Sequence, residues 1–288
     1  MRWLKSTLMI IVSVGLLVLT ARLVGAQALL AGTSVLHWWT IVAALGCGLL
    51  TTAAQAMRWK LLLHSRGTRL GWLRATADCY SSSFLNAVLP GGLSGDLARV
   101  AVYRHTGEHK WWSPLAVVAA ERLSVTALLF TIATFTLAGI SAPLALLTGA
   151  IALTALVFSL YGMRKIGLNA ALVVWLTSVT SVGALFLLYI IAMLALDGPV
   201  VPVLAIAGLA SMSLPIGVGG WGIREISVSI VAAGAAVSVD AAVSTATGYG
   251  LLALISVLPG LGTLLVQAIV RRGATGQGSV QNDAAQQH

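Results

Sequence analysis

The sequence predicts an all-α polytopic membrane protein, with about six full spans plus two re-entrant or broken helical hairpins whose arrangement suggests an inverted repeat. Three observations predict this class. Of 288 residues, 58% are hydrophobic and only 9% are charged, whereas a soluble domain of ordinary usage carries about 25% charge. A chain so poor in charge cannot cover its own surface in water. Apolar runs of the length that crosses a hydrocarbon core recur along it. Lysine and arginine collect in alternate connections between those runs.

Six segments are long and apolar enough to span: about 6–26, 38–57, 113–138, 142–163, 167–196 and 241–270. Trp38, Trp39, Trp59, Trp111 and Trp112 stand at their ends, as an interfacial aromatic belt would. The first run follows Arg2 and Lys5 in the manner of a signal peptide. It lacks a small-residue cleavage site, so it reads as a retained helix.

Arg58, Lys60, Arg66, Arg69 and Arg74 follow the second run, and Arg104 and Lys110 precede the third. Arg164 and Lys165 follow the fourth, and Arg271 and Arg272 follow the last. The opposite connections, near 139–141, 197–199 and 239–240, hold neither lysine nor arginine, and only Arg22 departs from the pattern. Both termini are therefore expected in the cytoplasm. Residues 1–272 form one integral membrane domain in this reading, and 273–288 a disordered cytoplasmic tail rich in Gly, Gln and Ala.

The stretches 75–98 and 200–238 remain. Each holds a proline-glycine break near its middle, and the charge bookkeeping starts and ends them on opposite faces of the membrane. The first is too short for two crossings and is expected to be re-entrant. The second is either a pair of helices or a hairpin of half-helices. Interrupted helices that meet from opposite sides commonly frame transport sites.

Other classes are disfavoured. The net charge of +9 lies in short connections, the pattern of topology signals rather than of a nucleic-acid surface. Cys47 and Cys79 show no metal-ligand spacing, and His37, His64, His105 and His109 do not cluster. The sequence has no Walker-type phosphate loop, GxSxG or HExxH. No catalytic residue, metal or other cofactor is expected. Polar groups gather around the breaks instead of striping several helices, which disfavours a channel for a small solute.

Chemistry is expected from a few charges. Of eight acidic residues, Asp96, Glu121 and Glu225 lie in or beside apolar segments, with Arg99, Arg122 and Arg224 close by. A charge at a helix centre costs about 2.5–3.5 kcal/mol on insertion scales. Three carboxylates and three guanidinia can neutralise one another in a shared cluster. Asp96 and Arg99, three apart, share a helix face. Glu121 and Arg122 lie about eight residues into their span, roughly 12 Å along it. Gly91, Gly92, Gly219 and Gly220 free backbone amides at the breaks, where a following half-helix presents its positive end. Amides and guanidinia together suit a phosphate, with the carboxylates orienting the arginines or relaying a proton. Asn86 and Ser81 to Ser83 could line the same cavity, and Trp221 could wall it.

At these residues the chain resembles a known family. Pro90-Gly91-Gly92-Leu93-Ser94-Gly95-Asp96-Leu97-Ala98-Arg99, then Glu121-Arg122, then Leu214-Pro215-Ile216-Gly217-Val218-Gly219-Gly220-Trp221-Gly222-Ile223-Arg224-Glu225 look like the signatures of the lysylphosphatidylglycerol synthase transmembrane region, the flippase-like family. The resemblance runs from about residue 6 to 270. It implies about eight membrane segments, some re-entrant, in a bacterial or archaeal cytoplasmic membrane, and a role in moving lipids between leaflets. The aminoacyl-transferase domain of the full synthase is not expected here, so the lipid need not be lysylated. The expected partner is a membrane lipid with an anionic headgroup, phospholipid or isoprenoid phosphate. The alternative expectation is a membrane partner subunit for a lipid-linked glycosyltransferase or another lipid-modifying enzyme.

Overall fold

A computed structural model describes residues 18, 26–89, 91–104, 112–216, 218–267 and 269. Most of the expected first span, together with Pro90, Trp111, Gly217 and the tail at 273–288, lies outside the described residues. Among the described residues the chain is all-α, with ten α-helices. They are α1 (Ala26–Ala31), α2 (Trp38–His64), α3 (Trp72–Val88), α4 (Ser94–Tyr103), α5 (Trp112–Leu137), α6 (Ala142–Met163), α7 (Leu168–Ala195), α8 (Pro202–Ser213), α9 (Ile223–Gly234) and α10 (Val239–Val257). A 3-10 turn, Gly32–Val35, joins α1 to the rest of the bundle.

Among the described residues, five helices are long and apolar enough to cross a membrane: α2, α5, α6, α7 and the span Val239–Gln267, in which α10 continues past Leu258. They run from 22 to 29 residues, above the roughly 20 that a crossing needs. These are the five later spans expected from hydropathy. The second expected span ends at 57, but α2 continues to His64 before a turn closed by Gly67 at φ +84°. That extension places Arg58, Trp59 and Lys60 inside the helix. Arg58, read above as a charge following the span, is buried, and so is Trp59, read as part of the aromatic belt. Trp38 and Trp112 are exposed at helix starts, as a belt requires.

The two interrupted stretches obey one local rule. Leu89 and Leu214 both precede a proline, and both are extended, with ψ 149° and 137°. Proline's ring disfavours the helical region for the residue before it. Glycines at positive φ then turn the chain: Gly91 and Gly92 in the first break, and Gly219, Gly220 and Gly222 in the second. The helices on either side are short. At 1.5 Å per residue, α8 and α9 reach about 18 Å, α4 about 15 Å and α3 about 26 Å, all below the roughly 30 Å core. The stretch 200–238 is thus built of two short helices.

Packing brings the breaks together. A Cβ built on Gly219 would run into the Ala87 carbonyl, so the second break lies against the end of α3. A Cβ on Gly95 would likewise strike the Ser82 carbonyl, which closes α4 onto α3. α5 packs along α6, and α2 along α7, while α10 lies against α2, α7 and α9. The buried apolar side chains form two groups. One joins α7 to α10 with the far half of α5. The other joins the second half of α2 to α3, α4 and the first half of α5. Leu146, Leu153 and Phe158 of α6 are exposed, the signature of a lipid-facing surface.

Candidate functional site

The six charged residues singled out in the sequence divide into two groups instead of forming one. The first stands where α2, α3, α4 and α5 meet. Arg99 donates from Nη2 to Asp96 Oδ1 at 2.6 Å, one helical turn away on α4. Its fork also grips Glu121 of α5, Nη2 to Oε1 at 3.1 Å and Nη1 to Oε2 at 3.3 Å. The other oxygen of Asp96 accepts from Arg122 Nε. Glu121 and Arg122, neighbours on α5, do not pair with each other. Each reaches α4 separately: Glu121 takes Arg99, and Arg122 takes Asp96. This crossed pairing replaces the Glu121–Arg122 pair that adjacency suggested.

Polar side chains complete the network. Ser82 donates to Asp96 Oδ1 at 2.8 Å, Gln55 of α2 to Glu121 Oε1 at 2.8 Å, and Ser83 to Gln55 Oε1 at 3.1 Å. Arg122 Nη2 donates to the Gly92 carbonyl, tying the break to α5. The Arg99 guanidinium lies 4.6 Å over the Trp59 ring and donates to Cys79 Sγ. Asn86 Oδ1 accepts the Gly95 amide at 2.8 Å. The amide freed at the start of α4 is therefore held within the protein by Asn86, which is itself half-buried. Asp96, Arg99 and Glu121 are buried, but the Arg122 side chain is 31% exposed.

The second group sits at the start of α9. Arg224 donates from Nε to Glu225 Oε1 at 3.0 Å, and Nη2 binds the same oxygen. Glu225 Oε2 accepts the Gly222 amide at 2.7 Å, so the carboxylate caps its own helix. The Arg224 guanidinium lies 4.7 Å over the Trp221 ring and 5.9 Å over the Tyr249 ring. A Cβ on Gly250 would strike that guanidinium, so α10 leaves it room only by carrying glycine there. Arg224 and Glu225 are fully buried and touch none of the first group's charges among the described residues. They staple α9 to α10. The expected single cluster thus becomes one network on α2–α5 and one closed pair on α9.

Several contributors escaped sequence reading. Gln55 and Arg58 stand three apart on α2, a polar face on an otherwise apolar helix, and that spacing was the available signal. Arg58 is buried and donates from Nη1 to Ser181 of α7 at 3.0 Å. Beside Arg99, a cavity of about 100 Å³ opens between α3, α4 and the end of the last span, lined by Ser82, Gly95, Tyr103 and Gln267 among others. At its rim Asp78 accepts from Tyr103 Oη at 2.6 Å and from Gln267 at 3.3 Å. Among the described residues, no group of three His, Cys, Asp or Glu side chains could hold a metal ion.

The sequence model of one protein family, described as the lysylphosphatidylglycerol synthase TM region, matches residues 6–170. The matched stretch contains α2–α6 and the whole Asp96–Arg99–Glu121–Arg122 network, and it ends before Arg224 and Glu225. No curated protein and no solved structure matches the chain.

Proposed function

The chain belongs to the lysylphosphatidylglycerol synthase TM region family, and from that premise we propose that it is a flippase or scramblase moving an anionic lipid between leaflets. The observation that carries this reading is Arg122. Arg99 and Arg224 are buried and engaged by carboxylates, whereas Arg122 is held by Asp96 and Gly92 and still has 31% of its side chain exposed. A planar guanidinium held at the edge of a buried network suits a phosphate that arrives sideways from the bilayer. The acyl or prenyl tail then stays in lipid, and no enclosed path is required.

In this reading the hairpin α3–α4 enters from the cytoplasmic face and α8–α9 from the other. Their breaks touch at Gly219 and Ala87. A headgroup competing for Arg122 would loosen its bonds to Asp96 and the Gly92 carbonyl, freeing the first break to rock against the second. Asp96 and Glu121 hold the arginines in place, and Asp96 keeps its bonds to Arg99 and Ser82 when Arg122 turns to the lipid. Gly91, Gly92, Gly219 and Gly220 serve as the hinges. Both termini lie in the cytoplasm of a bacterial or archaeal cell.

Purified protein in vesicles provides the test. Labelled anionic lipid should exchange between leaflets with no added enzyme, and Arg122→Gln should cut the exchange sharply. Exchange only in the presence of a lipid-modifying enzyme would assign the chain as a partner subunit and end the flippase reading.

A further inference from the structure

We infer that Arg58 is an additional guanidinium of the lipid site, and that it sets the site to receive a headgroup bearing one negative charge, a phosphodiester. The inference rests on the lipid-moving reading above and names its substrate class. Asp96, Glu121, Arg99 and Arg122 are joined by direct ion pairs and sum to zero. Arg58 adds one positive charge to their surroundings. It is 3% exposed and makes no ion pair among the described residues, and its only hydrogen bond there goes to the neutral hydroxyl of Ser181. A guanidinium in this position has lost its water without a carboxylate in ion-pair contact, the nearby Glu121 being already held by Arg99 and Gln55, an arrangement that costs several kcal/mol unless an anion compensates.

Its neighbours place it within the network. Gln55, three residues earlier on the same helix face, donates to Glu121, and Trp59, the next residue, carries the Arg99 guanidinium on its ring. Three buried donors in this corner have no partner: Arg58 Nε, Trp59 Nε1 and Arg99 Nε. All three are N–H groups, so the deficit is of acceptors alone. Phosphate oxygens are acceptors alone. The cavity of about 100 Å³ beside Arg99 opens on the α3–α4 side of the same network, lined by Arg99 but by neither Arg58 nor Trp59.

Charge balance then selects among phosphates. One surplus cation is neutralised by a phosphodiester. A phosphomonoester carries close to two charges at neutral pH and would leave the buried network negative. A zwitterionic headgroup would bring a cation toward arginines that already exceed the carboxylates. Asp78 does not alter the count, because it is held at the rim by Tyr103 and Gln267, with Arg74 6.0 Å from the same Tyr103 ring.

The experiment uses the full chain in vesicles and follows leaflet exchange of fluorescent phosphatidylglycerol, phosphatidylcholine and phosphatidic acid in parallel. Wild-type protein should move phosphatidylglycerol at least about 10-fold faster than the other two. Arg58→Gln should erase that preference, and Arg58→Lys should keep most of it. Native mass spectrometry with added phosphatidylglycerol gives a second readout, in which Arg58→Lys should retain bound lipid and Arg58→Gln should lose it. Equal rates for the three lipids in wild type, or an unchanged preference in a folded Arg58→Gln protein, overturns the assignment while leaving lipid transport intact. Exchange of no lipid by wild type overturns the transport reading itself, and the assignment with it.

Discussion

Replacing Arg224 with alanine should destabilise the protein severely, and replacing its partner as well should restore much of the loss. Arg224 has zero exposure, and so does Glu225. The guanidinium fills the space opposite Gly250, between the Trp221 and Tyr249 rings. Truncation leaves the Glu225 carboxylate buried with a single donor, the Gly222 amide at 2.7 Å. Breaking a buried pair by removing one member costs about 3–5 kcal/mol. At about 2–4 °C per kcal/mol for a chain of this size, the melting midpoint in detergent should fall by of order 10 °C. Arg224→Met with Glu225→Gln removes both charges and keeps the volume, so it should recover at least half of that drop. Size-exclusion detection after a temperature series measures all three proteins. If Arg224→Ala melts with wild type, the pair is not the staple described here. If the double variant is worse than the single, the cost does not come from an uncompensated carboxylate.

The contrast with the first network yields three further expectations. Arg122→Gln should cut lipid exchange at least 10-fold while shifting the melting midpoint by only a few degrees, because its side chain is 31% exposed and Asp96 keeps Ser82 and Arg99; a large stability loss would move Arg122 from lipid handling to structure. Gly219→Ala adds a Cβ facing the Ala87 carbonyl at a residue with φ +55°, so it should separate the two breaks and cost about 1–3 kcal/mol, read as lost exchange and lowered melting. Single cysteines at Leu89 and Ile216, in a background lacking Cys47 and Cys79, should react from opposite sides with an impermeant thiol reagent; reaction of both from one side would remove the opposed-hairpin arrangement.

Much of the architecture was legible because it depends on local quantities. Span length follows from bilayer thickness, so 142–163 was read with the boundaries that α6 adopts. The two breaks were legible because proline restricts the residue before it and glycine alone accepts positive φ cheaply. The Asp96–Arg99 pair was legible because three residues along a helix return to one face. The extent of α2 was not, because Arg58 and Lys60 look like loop charges until neighbouring helices are present to receive them.

The sequence by itself determined a helical membrane protein with two interrupted hairpins, since hydropathy, length and backbone stereochemistry act within a segment. Only the tertiary structure decided which charge meets which. Glu121 reaches across to Arg99 and Arg122 to Asp96, because α4 meets α5 there, whereas Arg224 turns back on its own neighbour Glu225. The same crossings buried Arg58, closed Asn86 onto the Gly95 amide and left Arg122 at the edge of the protein. Burial is a property of the assembled helices, and it sets the partly exposed Arg122 apart from the buried Arg58, Arg99 and Arg224.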